Sequence, residues 1–305
     1  MTPARILRIY LERQEVERAR RGDFNLMNRI RAAFEQHGFR VEFVQNTLEQ
    51  RLKSAARRGY SLFFMEDPFH DRALNIRRAY FYPYWRIEDT AERWEFAVAK
   101  ARFDPAETDA DMARKWADRW RRWLFAGKAR APERTGMVYV PLQGRLLAHR
   151  SFQERSPIDM VRTVLEQDQS RNILVGLHPK EAYSDTEIAE LETLSARNPR
   201  LAIRTGGMED ALQSCDYVVT QNSSAALFGF FFHKPAVLFG KIDFHHIGLN
   251  VAELGAEAAF ARAPGHRPDF DRYLHWFIQQ NAIKADAENA EAQILASVRR
   301  HGWQV

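Results

Sequence analysis

Apolar positions in this chain recur with two periods that alternate along its length. Ile6 to Leu11 is an apolar run of strand length. Leu26, Met27, Ile30 and Phe34 then follow at helical spacing, with Asp23 placed to cap that helix and Gly38 to close it. Val41 to Val44 reads as a second strand, Leu48 to Arg57 as a helix and Ser61 to Met65 as a third strand, so the chain opens as an α/β domain. The third strand delivers a polar cluster, Glu66-Asp67-Pro68-Phe69-His70-Asp71, to its carboxyl end. The aromatic run Tyr80 to Arg86 reads as a packed loop or as a platform for stacking on sugar or lipid. Trp116, Trp120 and Trp123 form a stripe on a helix from Asp109 to Phe125, of the kind that packs in a core or between domains.

Residues 126 to 136 are small, charged or Pro/Gly, which marks a boundary between a domain over 1–130 and another over 131–305. Met137 to Gln143 starts the second domain as a strand. Ser156-Pro157 opens a helix reaching Gln167, with proline at the first helical position. Ile173 to Leu177 is a strand that ends in His178-Pro179-Lys180. A capping box at Ser184 and Glu187 begins a helix to Arg197, and Ala202 to Arg204, Met208 to Ser214 and Asp216 to Thr220 read as strand, helix and strand. Asn222-Ser223-Ser224 then turns into an apolar helix from Ala225 to Phe232. Lys234-Pro235 stops that helix, and Ala236 to Gly240 is the next strand, completing a βαβ unit. Beyond Gly248, Asp269 to Asn281 and Ala285 to Arg300 read as two amphipathic helices.

Ligands of parallel sheets bind beyond the carboxyl ends of the strands. Gln143, His178, Lys180, Ser223 and Ser224 all fall at such ends. The two serines have a plainer reading as helix caps. Asp243, His245 and His246 follow the last of these strands, where structural or ligand-polar roles are expected ahead of a metal.

The 305 residues are 45% hydrophobic and 28% charged, as in ordinary globular proteins, and carry a formal charge of +5. The arginines are interleaved with acids and no nucleic-acid recognition motif accompanies them, so nucleic acid is not an expected partner. No apolar run reaches the roughly 20 residues that span a bilayer, and Met1 to Tyr10 lacks the apolar core of a secretion signal. Cys215 is the single cysteine, which fits a reducing cytoplasm.

Four ordered blocks carry a resemblance to a known family. They are Val138-Tyr139-Val140-Pro141-Leu142-Gln143, Gly176-Leu177-His178-Pro179-Lys180, Thr220-Gln221-Asn222-Ser223-Ser224-Ala225-Ala226-Leu227 and His233-Lys234-Pro235-Ala236-Val237-Leu238-Phe239-Gly240. With Tyr273-Leu274 and Gln280-Asn281 behind them, they resemble the capsule polysaccharide biosynthesis proteins, which include bacterial capsule Kdo transferases. In the first half, Glu66-Asp67 followed by Phe69 resembles that family's acidic motif, with Pro68 standing where glycine is usual.

The resemblance implies an α/β, GT-B-like fold: two Rossmann-like domains facing across a cleft, with C-terminal helices. It further implies a glycosyltransferase that moves Kdo from CMP-Kdo to a glycan or glycolipid acceptor. Gln143, His178, Pro179, Lys180, Asn222, Ser223 and Ser224 would hold the nucleotide, and Glu66 or Asp67 would be the catalytic carboxylate. No Asp-x-Asp stands in a matching place, so neither a metal nor another cofactor is expected. The implied location is cytoplasmic, peripheral on the inner membrane beside the capsule export machinery. Two alternatives share the fold: a sialyltransferase-like enzyme using another CMP-nonulosonate, and a noncatalytic capsule-assembly or glycan-binding protein.

Overall fold

The computed structural model describes residues 4–125 and 133–305, so most of the expected boundary at 126 to 136 lies outside the described residues. Its strands in chain order are β1 (Ile6–Leu11), β2 (Arg40–Gln45), β3 (Tyr60–Phe64), β4 (Ala73–Arg78), β5 (Tyr84–Glu88), β6 (Met137–Leu142), β7 (Asn172–Leu177), β8 (Leu201–Thr205), β9 (Tyr217–Thr220), β10 (Ala236–Leu238), β11 (Leu249–Asn250) and β12 (Ile283–Lys284). They form two separate six-stranded sheets. The chain divides into one unit of Met1–Ala101 with Phe277–Val305 and a second of Arg102–Trp276. That division differs from the expected 1–130 and 131–305 at both ends.

In the first unit the order is β2-β1-β3-β4-β5-β12. The four strands from β2 to β4 are parallel, β5 turns back antiparallel to β4, and β12 pairs antiparallel with β5. Leu26, Met27, Ile30, Ala33 and Phe34 bury one face of the helix Asn25–Glu35. Asp23 does not cap it: the cap position is Phe24, without a side-chain bond, and Asp23 pairs with Arg21 at 2.9 Å. The aromatic run proves to be a tight turn and the start of β5, with Tyr84, Trp85 and Arg86 buried in the strand. The expected helix from Ala285 begins only at Ala290, preceded by β12. Helix Ala290–Arg300 packs on helix Asn25–Glu35, where Arg29 and Glu291 pair at 2.8 Å, and its Ile294 and Val298 join the core of β1 and β3.

The second unit has the order β8-β7-β6-β9-β10-β11, all parallel. Counted from its first strand, that is 3-2-1-4-5-6, the doubly wound Rossmann order. At the amino end of the sheet Arg171 bridges Asp168 (3.1 Å) and Asp216 (2.7 Å), while Tyr217 donates its hydroxyl to Asp168 at 2.6 Å. Helix Ala110–Leu124 belongs to this unit, capped by Asp109, with Trp116 against Phe231 and His275. The helix expected over Asp269 to Asn281 is a short α-helix, Phe270–Leu274, continued as a π-helix, His275–Gln280.

Candidate nucleotide site at the strand ends

In a sheet of this order the crevice opens where the strand sequence reverses, between β6 and β9. The paired register of β6 with β9 stops at Tyr139 and Val218, although β6 stays paired with β7 to Leu142 and Leu177. Pro141 carries no N–H to extend a ladder, and Thr220 Oγ1 instead donates to its carbonyl at 3.2 Å. Backbone pairing of the two strands therefore stops short of their carboxyl ends, where the Thr220 hydroxyl takes over the link.

Tyr183 ties the other side. Its hydroxyl accepts the His178 N–H at 2.9 Å and donates to the Leu142 carbonyl at 3.3 Å, clamping the ends of β6 and β7. Burial raises the pKa of this phenol, which keeps the donating proton in place. Gln143 and His178 are thus adjacent first residues beyond paired strands. His178 is exposed and its Nδ1 accepts the Lys180 N–H at 3.2 Å. In the neutral ring that bond leaves the proton on Nε2. Pro179 and Lys180 are exposed beside it. Gly144 permits a close approach here: a Cβ would lie 2.9 Å from Glu181 Oε2, at the far end of a flexible side chain, and 3.2 Å from the Ala182 carbonyl.

Across the crevice, Ser223 is the cap of helix Ser224–Phe230. Its Oγ accepts the Ala225 N–H at 3.3 Å, so the plainer cap reading is realised for this residue. Ser224 and Asn222 are half-buried at the same turn. The segment between β6 and helix Pro157–Gln167 crosses the ends of β9 and β10: Glu154 N donates to the Phe239 carbonyl at 2.7 Å and Lys241 N to the Phe152 carbonyl at 2.9 Å. Gln221 fastens this cover through Nε2 to the Arg155 carbonyl at 2.9 Å. A Cβ on Gly240 would sit 3.2 Å from the Gln221 carbonyl, so that glycine permits the close approach.

The second unit therefore brings Gln143, His178, Pro179, Lys180, Asn222, Ser223 and Ser224 to one edge of one sheet. Sequence reasoning did not single out Tyr183 or the covering segment, and it placed Gly144, Gln221 and Gly240 at strand ends without giving them a role. Gly144 and Gly240 each stand two residues past a strand, which was the available signal. Asp243 is fully buried, and the His245 and His246 rings stack at 4.4 Å with His246 Nδ1 3.1 Å from the Tyr273 hydroxyl. Among the described residues no group of three or more His, Cys, Asp or Glu is arranged to hold a metal.

Glu66 and Asp67 lie in the first unit, beyond β3. Met65 takes a left-handed φ of 65°, and the two carboxylates turn to different partners. Glu66 pairs with Arg51 at 2.5 Å, whereas Asp67 accepts the Ala91 N–H at 3.0 Å. Phe69 stacks on Phe63, and His70 Nε2 lies 2.9 Å from Ser54 Oγ. Burial, then Arg72, lowers the His70 pKa.

No protein-family model and no curated protein matches the sequence. Among solved structures, KpsC of Thermosulfurimonas dismutans, a beta Kdo 2,7 transferase, is similar over 96% of this chain and 99% of its own at 12% identity, with a TM-score of 0.54. A beta Kdo 2,4 transferase structure of the same organism's KpsC is matched over 88% of this chain and 89% of its own, at 11% identity and a TM-score of 0.46. UDP-GlcNAc 2-epimerase from Neisseria meningitidis, bound to UDP-GlcNAc, is matched over 97% and 99%, at 8% identity and a TM-score of 0.35. With the two sheets described above, the first of these likenesses shows the fold: α/β, GT-B-like, built from two Rossmann-like domains.

Proposed function

We propose that the chain is a glycosyltransferase of capsule or surface polysaccharide synthesis that transfers Kdo, or a related acidic sugar, from a CMP-activated donor to a glycan or glycolipid. The observation that carries this reading is the placement of His178, past β7, and of the Ser223-Ser224 turn, past β9, on the two strands that flank β6 at the switch-point edge of a Rossmann sheet. β7, β6 and β9 are consecutive neighbours, so those two positions lie about 10 Å apart along the sheet edge, two strand spacings.

In the reaction the acceptor hydroxyl oxygen bonds to the anomeric carbon as the bond from that carbon to the CMP phosphate oxygen breaks. CMP departs with the electron pair, and the hydroxyl proton passes to a carboxylate. His178 Nε2–H, the Lys180 ammonium and the serine hydroxyls meet the charge developing on the phosphate, the role of preorganised donors in such transfers. Glu66 or Asp67 is proposed as the proton acceptor, on the acidic-motif resemblance. The ion pair of Glu66 with Arg51 and the bond of Asp67 to the Ala91 N–H favour the noncatalytic glycan-binding alternative. None of the described helices is long and apolar enough to cross a membrane. The proposed location is the cytoplasmic face of the inner membrane.

Release of CMP from CMP-Kdo and from other CMP-nonulosonates, with candidate acceptors, tests the reading. Turnover with one donor that falls by orders of magnitude in Glu66→Gln or Asp67→Asn, with CMP affinity retained, supports it. CMP binding without turnover for any donor points to the noncatalytic alternative, and absence of CMP binding overturns the nucleotide site itself.

A further inference from the structure

The tryptophans of helix Ala110–Leu124 do not share one environment. Trp116 is buried against Phe231 and His275, as a core stripe requires. Trp123 is 59% exposed, and Met112, three turns before it, is 50% exposed. One exposed apolar side chain is ordinary on a protein surface. These two share their side of the helix with three cations.

Successive residues turn by about 100° around a helix axis, so Arg122, Lys115, Arg119, Met112 and Trp123 follow one another within an arc of about 100° and a length of about 16 Å. All five are exposed, and no acid falls in the arc. Asp111 and Asp118 lie to one side of it, where Arg114 and Arg121 take them, each at 2.6 Å. Among the described residues Lys115, Arg119 and Arg122 enter no ion pair, and Arg119 leans over the Trp120 ring at 5.9 Å from its centre. The far side of the helix fixes this arc in place. Ala113, Trp116 and Ala117 are buried there, Asp109 caps the helix by accepting the Met112 N–H at 2.7 Å, and Arg121 donates to the Phe231 carbonyl at 3.3 Å.

We infer that this arc is a docking surface for an anionic phospholipid bilayer. The helix lies along the membrane plane, Trp123 and Met112 enter the headgroup boundary, and Lys115, Arg119 and Arg122 face the lipid phosphates. Helices that rest on membranes set tryptophan and long apolar side chains beside Lys and Arg in this way. An indole joins an apolar body to an N–H and settles where one side is dry and the other wet. The long stems of Lys and Arg let their charges stay at the headgroups while the indole goes deeper. A second copy of the chain is a poor occupant, since a two-fold contact would set the three cations against their own copies. The inference gives a surface to the membrane location proposed above and rests on that part of the reading, but neither nucleotide nor turnover enters it.

Co-sedimentation of the full chain with vesicles of phosphatidylcholine holding one-third phosphatidylserine, against vesicles of phosphatidylcholine alone, tests it. The charged vesicles are expected to bind about tenfold more tightly or better, and less so as salt rises. Each of Lys115→Gln, Arg119→Gln and Arg122→Gln should weaken that binding about fivefold, and all three together about a hundredfold. Brominated lipid in the charged vesicles should quench part of the tryptophan emission, and Trp123→Ser should remove that part. Equal binding to both kinds of vesicle, binding to neither, a triple variant that binds like the parent, or quenching that survives Trp123→Ser each overturns the surface. Binding without any quenching marks a general attraction to polyanions and overturns it too, as does a lipid-free dimer in light scattering that Trp123→Ser dissociates. Circular dichroism and CMP affinity should be unchanged in every variant. CMP affinity, read separately, tells failure of this surface apart from failure of the nucleotide site.

Discussion

Ser223 and Ser224 are adjacent and chemically identical, yet the helix they begin uses Ser223, not Ser224, as its cap. Ser223 Oγ is held by the Ala225 N–H, whereas Ser224 is already the first helical residue. Loss of a cap costs about 0.5–2 kcal/mol. Ser223→Ala should therefore lower the thermal midpoint, while Ser224→Ala should leave it in place and weaken CMP binding about tenfold, alongside about ten- to a hundredfold for His178→Ala. Unfolding scans and calorimetry on the three variants check this, and unchanged CMP affinity in both His178→Ala and Ser224→Ala removes the nucleotide site. At Gly144, alanine would bring a Cβ to 3.2 Å from the Ala182 carbonyl, which is backbone and yields poorly. Gly144→Ala should cost about 1–3 kcal/mol in a denaturant titration.

Strands β6, β7 and β9 are tied at both ends, by Tyr183 and Thr220 beside the crevice and by Asp168, Arg171, Asp216 and Tyr217 at the opposite edge. For Asp168, burial alone pushes the pKa up, but hydrogen bonds from Tyr217, Arg171 and Ser170 outweigh it and hold the carboxyl below its ordinary 3.8. A carboxyl depressed in the folded state stabilises the fold above its unfolded pKa, and that stability is lost as pH falls through the folded value. Urea unfolding of this protein should thus weaken below about pH 4 by more than in Tyr217→Phe, which lacks one of the donors. Parallel acid limbs in the two proteins would contradict this. The individual elements were largely readable, since caps and periodicity act within a few residues: Ser156-Pro157, the Ser184 box and the strand ends at Leu177 and Thr220 stand as expected, and β6 ends at Leu142, one residue before the expected Gln143. Asp23 misled because a capping residue type beside an apolar face is also a surface acid, and Arg21 takes it.

At the scale of the whole molecule the chain leaves its first unit at Ala101 and returns to it at Phe277. The returning segment is core: Ile283, Ile294, Val298 and Trp303 are buried with Leu7, Ile9 and Phe34, and the Trp303 ring stacks on Tyr60 at 4.3 Å. Ile294→Ala should destabilise the first unit by about 2–5 kcal/mol, as expected for a fully buried isoleucine. A chain truncated after Trp276 should lose cooperative unfolding of that unit while the second unit's transition persists. Differential scanning calorimetry distinguishes these outcomes, and two intact transitions in the truncated chain would refute the assignment.

The sequence by itself determined the alternation of strands and helices, the two α/β halves and the set of polar residues waiting at strand ends, because each follows from contacts a few positions apart. Only the tertiary structure decided the strand order that puts β6 beside β9 and so makes those ends a crevice. It also decided that Arg86, in an aromatic run that reads as a loop, is buried and fastened to Phe277 and Asn281, and that Glu66 meets Arg51. Periodicity reports which face of an element is apolar and is silent about what covers it. Closing a loop costs only slowly more as it lengthens, about 0.6 kcal/mol per doubling, so a partner 191 residues away starts only about 3 kcal/mol behind one nearby, a gap that packing can overturn.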